Sequence, residues 1–292
     1  MDKSKKLIVI GGPTASGKTD LAVRLAKNLN TAVFSADSRQ IYHELNIGVA
    51  RPTAEEMQGI VHHFIDHVSI KEDYSVGRYE KEVIKALDHH FADHDTAILV
   101  GGTGLYLRAI THGIDPFPDI PAEINKELEN ELLEQGLPKL VEELKIKDPV
   151  SHNTLDLQNS RRVLRALAII RTTGQPFSQF KTGTTQKRPF EMDYHYLEPE
   201  RAQLYQKIDS RVDLMMGRGL LAEAENLASL RPLKALDTVG YRELFDYFDG
   251  LFSLDEAVDK IKQHSRNYAK RQMTWFRKYN KEMKSLAVAT YF

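Results

Sequence analysis

The sequence predicts an α/β fold: a parallel sheet flanked by helices, organised around a phosphate-binding loop and interrupted by an inserted all-helical domain. Three observations carry this. Apolar β-branched runs alternate with helical spacing up to about residue 114. Residues 12–19 read GPTASGKT, the pattern G-x-x-x-x-G-K-[ST], between an apolar run and a helical one. Beyond residue 115 strand signals stop and charged amphipathic stretches take over, until a strand-like run returns at 193–197.

The first strand is the run Leu7, Ile8, Val9, Ile10, and the first helix follows from Asp20 to Leu29. Between them Gly12, Pro13, Thr14, Ala15, Ser16, Gly17, Lys18 and Thr19 form the loop. Its glycines let backbone N–H groups converge on phosphate oxygens, and the helix N-terminus adds partial positive charge. Lys18 supplies a point charge and Thr19 a hydroxyl ligand for Mg²⁺. A glycine-rich turn without a ligand is the bland alternative, and the Lys-Thr ending argues against it. The loop alone does not specify which phosphate compound it holds.

Residues 31–35 (TAVFS) form a second strand, residues 63–66 a weaker one, residues 79–91 a helix, and residues 97–100 a strand closed by the turn Gly101, Gly102, Thr103, Gly104. In such βαβ alternation the loops at the carboxyl ends of the strands converge. Loops 12–19, 37–40 and 101–104 are therefore expected to line one crevice, in a phosphate-loop NTPase-like sheet. The proline-studded run 115–121 (DPFPDIP) opens the insert, helical patterns follow at 122–135, 137–147 and 158–172, and residues 182–189 (TGTTQKRP) mark its end. The expected division is a core of residues 1–114 and 191–292, ending in basic helices, around an inserted helical domain of residues 115–190.

Composition narrows the function. The 292 residues include no cysteine, which excludes disulfides and thiolate metal sites. No apolar run approaches membrane-spanning length, and residues 1–6 (MDKSKK) lead straight into the first strand rather than a signal peptide, so a cytoplasmic protein is expected. The net charge of −1 creates no global field, and any polyanionic partner must be met by a local patch.

Candidate patches exist. Across residues 260–284, Lys260, Lys262, Arg266, Lys270, Arg271, Arg277, Lys278, Lys281 and Lys284 face a single acid, Glu282, with His264, Tyr268, Trp275, Phe276 and Tyr279 interleaved. On a helix Arg266, Lys270, Thr274, Arg277 and Lys281 share one face, and Tyr268, Gln272, Trp275 and Tyr279 another. Such a helix can follow a phosphate backbone and stack on unpaired bases, or be a solvated basic face over a packed aromatic stripe. Arg161, Arg162 and Arg165 form a second basic group in the insert, and arginine pairs bidentately with phosphate. Asp37, just past the second strand, suits a Mg²⁺ partner, a general base or a plain turn and cap residue, and acids at strand ends are common turn formers. Thr103 sits in a turn whose glycines permit either ligand approach or simple tightness. Two histidine groups, His62, His63 and His67, and His90 with His94, lack the further ligands that a transition metal would need.

Together these segments resemble the tRNA dimethylallyltransferases, also called tRNA isopentenyltransferases. The blocks that carry the resemblance, in order, are GPTASGKT, DSRQIY at 37–42, HHFID at 62–66, GGTGLY at 101–106, NSRR at 159–162 with RAL at 165–167, VGYR at 239–242 and KRQMTW at 270–275. One departure falls at a helix cap, where Asn159-Ser160 replaces the more usual Asn-Asp.

The resemblance implies transfer of a dimethylallyl group from dimethylallyl diphosphate to the exocyclic amine of the adenosine 3′-adjacent to a tRNA anticodon. It implies that the loop, with Lys18, Thr14, Arg211 and Mg²⁺ near Thr19, neutralises the departing diphosphate, and that Asp37 is the general base. It further implies tRNA contacts from Asp37, Ser38, Arg39 and Gln40, from Thr103, and from Arg161, Arg162 and Arg165. Others come from Asp237, Thr238, Val239, Gly240, Tyr241 and Arg242, and from Lys270, Arg271, Gln272, Met273, Thr274, Trp275, Phe276 and Arg277. The target base must swing out of its stack. The expectation is a monomer, with tRNA and isoprenoid reaching a passage between core and insert from opposite sides. Two readings from other classes compete: an ATP-dependent small-molecule kinase, which leaves the basic aromatic helix unused, and a non-catalytic RNA-binding protein, which leaves Lys18, Thr19 and Asp37 unexplained. A nearer rival is an adenylate isopentenyltransferase acting on free nucleotides.

Overall fold

The computed structural model describes residues 4–183, 185–279 and the strand residues 284–286. The chain divides into two compact units, Met1–His112 together with Lys187–Phe292, and Gly113–Gln186.

In the first unit the chain runs β1 (Lys6–Gly11), α1 (Lys18–Leu29), β2 (Val33–Ser35), α2 (Ala54–Met57), β3 (His62–His63), α3 (Val76–Asp93), β4 (Thr96–Gly101) and α4 (Gly104–His112). The second unit holds α5 (Ala122–Gln135), α6 (Leu137–Lys147), α7 (Pro149–Thr154), α8 (Ser160–Thr173) and α9 (Phe177–Phe180). The first unit resumes with β5 (Glu191–Leu197), α10 (Arg201–Gly217), α11 (Leu220–Leu227), α12 (Tyr241–Phe248), α13 (Leu254–Tyr279) and β6 (Lys284–Leu286).

Among the described residues six strands form one sheet in the order β3-β2-β4-β1-β5-β6. Every pairing is parallel, and β1 lies between β4 and β5, with Ile8 opposite both Ile98 and Asp193. Burial on both faces explains why β1 reads as a continuous apolar run. Leu7, Val9, Phe34 and Leu99 enter the larger core cluster, whereas Ile10, Val33 and Ile98 pack with Leu21, Ala22 and Ala26 of α1. Because β1, β2 and β4 run parallel, the loops that follow them emerge at the same, carboxyl end of the sheet.

Several details depart from the sequence reading. The weak strand at 63–66 is only His62–His63, because Phe64 and Asp66 take φ values of 63° and 54° and turn the chain away. Helices were expected to run to the C-terminus, yet residues 284–286 pair with β5 as a further strand. Too few apolar positions mark α7 and α9 for periodicity to reveal them. They are tied instead by Asp148, 1% exposed, whose carboxylate accepts hydrogen bonds from the backbone N–H and hydroxyl of both Ser151 and Ser178. These bonds hold the Asp148 carboxyl below the usual carboxylate range against the opposing effect of burial.

The second unit has its own core, including Leu128, Leu140, Leu144, Val163, Leu167, Ile170 and Phe177. Arg171 braces it by pairing with Glu131 and Glu143. Asn159 accepts from Arg162 N and caps α8, so the departure at Asn159-Ser160 leaves the cap intact. Among the described residues no helix is long and apolar enough to cross a membrane.

Candidate active site

At the carboxyl end of β1 the chain enters α1 through Gly17, which has φ 86° and provides no side-chain cap. The first N–H groups of α1 therefore lack a side-chain acceptor, the arrangement that suits a bound anion. Ser16 is 3% exposed and its Oγ has no hydrogen-bond partner among the described residues, an orphaned donor inside the same loop. Lys18 Nζ donates to Pro13 O at 2.6 Å. Burial pushes the Lys18 ammonium down to about 7 and neighbouring Arg211 adds to the shift, while Asp37 opposes it. Arg211 of α10 donates to the Thr14 hydroxyl, and burial lowers its pKa as well. Two cations held this unfavourably in the free protein are ready for a polyanion.

Asp37 follows β2. Its Oδ1 accepts from Arg39 N at 2.9 Å and Gln40 N at 3.3 Å, an Asx turn that occupies one oxygen and leaves Oδ2 available to a proton. Thr103 steadies the chain on both sides of Asp37: Thr103 N donates to Ala36 O, and its hydroxyl accepts from Ser38 N at 3.0 Å. Tyr268 of α13 reaches the Thr103 hydroxyl, and burial followed by the Asp37 charge pushes its phenol up to about 12.

Thr14, Lys18, Asp37, Arg211 and Tyr268 line one crevice of about 170 Å³, open to solvent. Residues 14–19 of the phosphate loop, Asp37, Gln40, Gly101, Gly102, Arg211, Tyr268 and Gln272 contribute, together with the apolar residues Val49, Ala50, Pro52, Ile65 and Val100. The loops after β1, β2 and β4 thus meet as sequence anticipated. Tyr268 and the apolar wall were missed as site residues. Tyr268 was visible only as one ring in an aromatic stripe, and residues 49–65 carry no chemical motif.

Among the described residues no three His, Cys, Asp or Glu side chains gather to hold a metal. His90 instead stacks on His94, His63 stacks on Phe34, and His67 bonds Glu82. Thr19 lines the crevice beside Lys18. One hydroxyl is a fitting protein share for Mg²⁺, which keeps most of its shell as water and substrate phosphate.

Several residues assigned to tRNA are placed otherwise. Phe276 is fully buried, stacks on Tyr196, and lies so close to Gly11 that a Cβ there would sit 2.4 Å from its ring; Met273 is 6% exposed in a small core with Leu204 and Ile208. Both are packing residues. Gln272, 6% exposed, accepts from Thr14 N and donates to Gly102 O, each at 2.9 Å, joining the phosphate loop to the β4 turn. The glycines of that turn admit the protein's own α13: a Cβ at Gly102 would meet Gln272 at 2.3 Å, and one at Gly104 would meet Trp275 at 2.3 Å.

Tyr241 is fully buried with its phenol on Glu223, and Gly240, at φ 101°, anchors α12 through Glu243. Arg39 donates to the carbonyls of Lys234, Ala235 and Asp237, while Arg242 pairs with Asp237, so segments 37–40 and 237–242 are joined. Thr238 and Val239 lie between these anchors. On α13, Arg266 pairs with Asp209 and Arg277 with Glu198, whereas Lys270, Arg271 and Thr274 are exposed. Lys281 and Glu282 lie outside the described residues. Arg161, Arg162 and Arg165 are exposed on α8 of the second unit, with Arg165 over the Phe117 ring.

Known proteins resemble this chain over nearly its whole length. A tRNA dimethylallyltransferase from Cytophaga hutchinsonii is 47% identical over 275 residues, 94% of this chain and 90% of that protein. The tRNA dimethylallyltransferase 1 of Bacteroides fragilis is 43% identical over 94% of this chain and 91% of its own length. Among solved structures, the full-length tRNA isopentenylpyrophosphate transferase of Bacillus halodurans matches with a TM-score of 0.71 at 37% identity, covering 97% of this chain and 90% of that one. A eukaryotic dimethylallyltransferase captured acting on tRNA matches at a TM-score of 0.83 and 27% identity, covering 98% of this chain and 74% of that one. The family model described as IPP transferase matches residues 40–279, most of the chain, and the chain belongs to the IPP transferase family.

Proposed function

We propose that the protein transfers the dimethylallyl group from dimethylallyl diphosphate to N6 of the adenosine 3′-adjacent to the anticodon of tRNA, releasing diphosphate. It acts in the cytoplasm as a monomer. The observation that carries the reading is the convergence of Lys18, Arg211 and Asp37 on one crevice, cations for a leaving diphosphate beside a carboxylate for an incoming amine.

The N6 lone pair forms a bond to the allylic carbon as the carbon–oxygen bond breaks, its electron pair departing on the diphosphate. The loop amides, Lys18 and Arg211 stabilise that growing charge more than they stabilise the ground state. Oδ2 of Asp37 takes the proton that N6 must lose. Mg²⁺, with the Thr19 hydroxyl as its protein ligand, supplies further positive charge to the phosphate oxygens when bound. Lys270, Arg271 and Thr274 on α13 and Arg161, Arg162 and Arg165 on α8 serve the tRNA backbone.

The test is to incubate the protein with labelled dimethylallyl diphosphate, Mg²⁺ and either total tRNA or AMP. Label in tRNA is expected; label in AMP identifies the nucleotide-modifying rival, and ATP consumption with a small metabolite identifies a kinase. Asp37→Asn is the sharpest variant. Asparagine keeps the Asx turn through its carbonyl oxygen but takes no proton. Turnover should fall about 100-fold or more while donor and tRNA affinities hold, and unchanged turnover would reject the general-base role.

A further inference from the structure

The cations and amides of the crevice hold a diphosphate, which every prenyl donor carries. Discrimination among donors of different chain length must come from the apolar wall. Part of that wall, Val49 and Ala50, belongs to an arch at residues 46–51 that lies in no strand or helix. Within the arch Ala50 N donates to Ile47 O at 3.0 Å and Arg51 N to Asn46 O at 3.1 Å, and Ala50 sits at φ 50°, in the left-handed region that alanine rarely adopts. Such a backbone needs support from outside.

The support is specific. Glu223 of α11 accepts from Ile47 N at 2.8 Å through Oε2 and from Gly48 N at 2.9 Å through Oε1, and the Tyr241 phenol donates to Oε1 at 2.5 Å. Gly48 rests against the Tyr241 ring, where a Cβ would come within 2.6 Å of Cζ. Gln40, three residues from Asp37, donates its amide to Val49 O and Ala50 O. Glu223 itself does not line the crevice. Its carboxylate makes charge-assisted bonds that fix the path of two residues that do.

We propose that Glu223, anchored by Tyr241, is a positioning residue for the prenyl group, setting the 46–51 arch where it admits a five-carbon chain and excludes a longer one. The inference rests on the prenyltransferase reading above. Both arch amides bond this one carboxylate, so replacing an oxygen by NH₂ opposes a donor to a donor and moves the wall outward. The diphosphate cradle shares none of these bonds.

The experiment compares dimethylallyl and geranyl diphosphate as donors to tRNA, with inorganic diphosphate as a competitive inhibitor, in the unaltered protein, Glu223→Gln and Val49→Ala. Absence of prenyl transfer by the unaltered protein rejects the proposed function. Given that activity, both variants should raise kcat/KM for geranyl relative to dimethylallyl diphosphate about 10-fold, the scale on which apolar pockets discriminate, with Ki for inorganic diphosphate held within about 2-fold. If Glu223→Gln fails to fold, Tyr241→Phe removes one hydroxyl from the same carboxylate and carries the same expectation. An unchanged donor ratio overturns the proposal, as does a diphosphate Ki that rises in step with the dimethylallyl diphosphate KM.

Discussion

At the scale of single residues the crevice is defined by what the free protein leaves unbalanced. Lys18 is buried beside Arg211, donates to the Pro13 carbonyl and feels the Asp37 charge; burial pushes its ammonium down to about 7. Because its folded pKa is depressed below 10.5, the unfolded chain holds more protons between about pH 7 and 10.5, and this group makes stability rise with pH across that window. Ligation reverses the preference. A diphosphate beside Lys18 restores the charged form, so above pH 7 binding must take up a proton, and affinity should fall up to about 10-fold per pH unit where this group dominates the linkage. Calorimetric titration with inorganic diphosphate at pH 8 in two buffers of different ionisation enthalpy should show that uptake, and Lys18→Met should abolish it. Equal heats in both buffers would remove Lys18 from the anion site. The loop was legible because its chemistry is local, eight consecutive residues with a fixed pattern. The roles of Gln272, Tyr268 and Glu223 were not, because each depends on a partner more than 150 residues away in sequence.

Among the elements, α13 shows how far periodicity can be trusted. The pattern separated a basic face from an aromatic one: Lys270 and Thr274 are exposed on the first, but of Tyr268, Gln272, Trp275 and Tyr279 only Gln272 is buried, Tyr279 is exposed, and the packed stripe is Ala269, Gln272, Met273 and Phe276. The pattern could not say which cations have protein partners. Arg266 pairs with Asp209 and Lys262 with Asp213, both on α10, and Arg277 shares Glu198. A cation already paired gives less to an RNA phosphate, because binding must replace an ion pair rather than create one. Lys270→Ala should therefore weaken tRNA binding and reduce the slope of log affinity against log salt by about 1. Arg277→Ala should change that slope less. Filter binding between low and physiological salt decides the point, and equal slopes for Lys270→Ala and the unaltered protein would exclude a direct phosphate contact. The strands tell a related story: β1 and β4 were readable as continuous apolar runs, but β3 and β6 are two and three residues long and gain their form from pairing with β2 and β5.

In the whole molecule, a sheet unit that holds the phosphate-loop crevice is interrupted in sequence by a helical unit with its own core. The proline-rich run and the loss of strand signals led to an expected insert of residues 115–190, whereas the compact helical unit is Gly113–Gln186, its edges set by contacts that sequence does not display. Arg188 illustrates this, gripping Ala109 O, Ile110 O and Glu80, so that residues just before β5 belong with the sheet. Where the helical unit starts and stops, a Cβ at Gly113 would lie 2.6 Å from Gln186, and the Gln186 amide bonds Ile114 O. The two ends of the unit are thus adjacent, and a short Gly-Ser linker can close the gap at small entropic cost. Every residue lining the crevice belongs to the sheet unit. Replacing residues 113–186 by such a linker should therefore leave inorganic diphosphate affinity within about 2-fold, since no cradle group is removed. The same deletion removes Arg161, Arg162 and Arg165, and tRNA affinity should fall at least 10-fold as those phosphate contacts vanish. Measuring both affinities on the shortened, folded protein separates the two activities. Loss of diphosphate binding would show that the helical unit is needed to build the anion site, and undiminished tRNA binding would confine RNA recognition to the sheet unit.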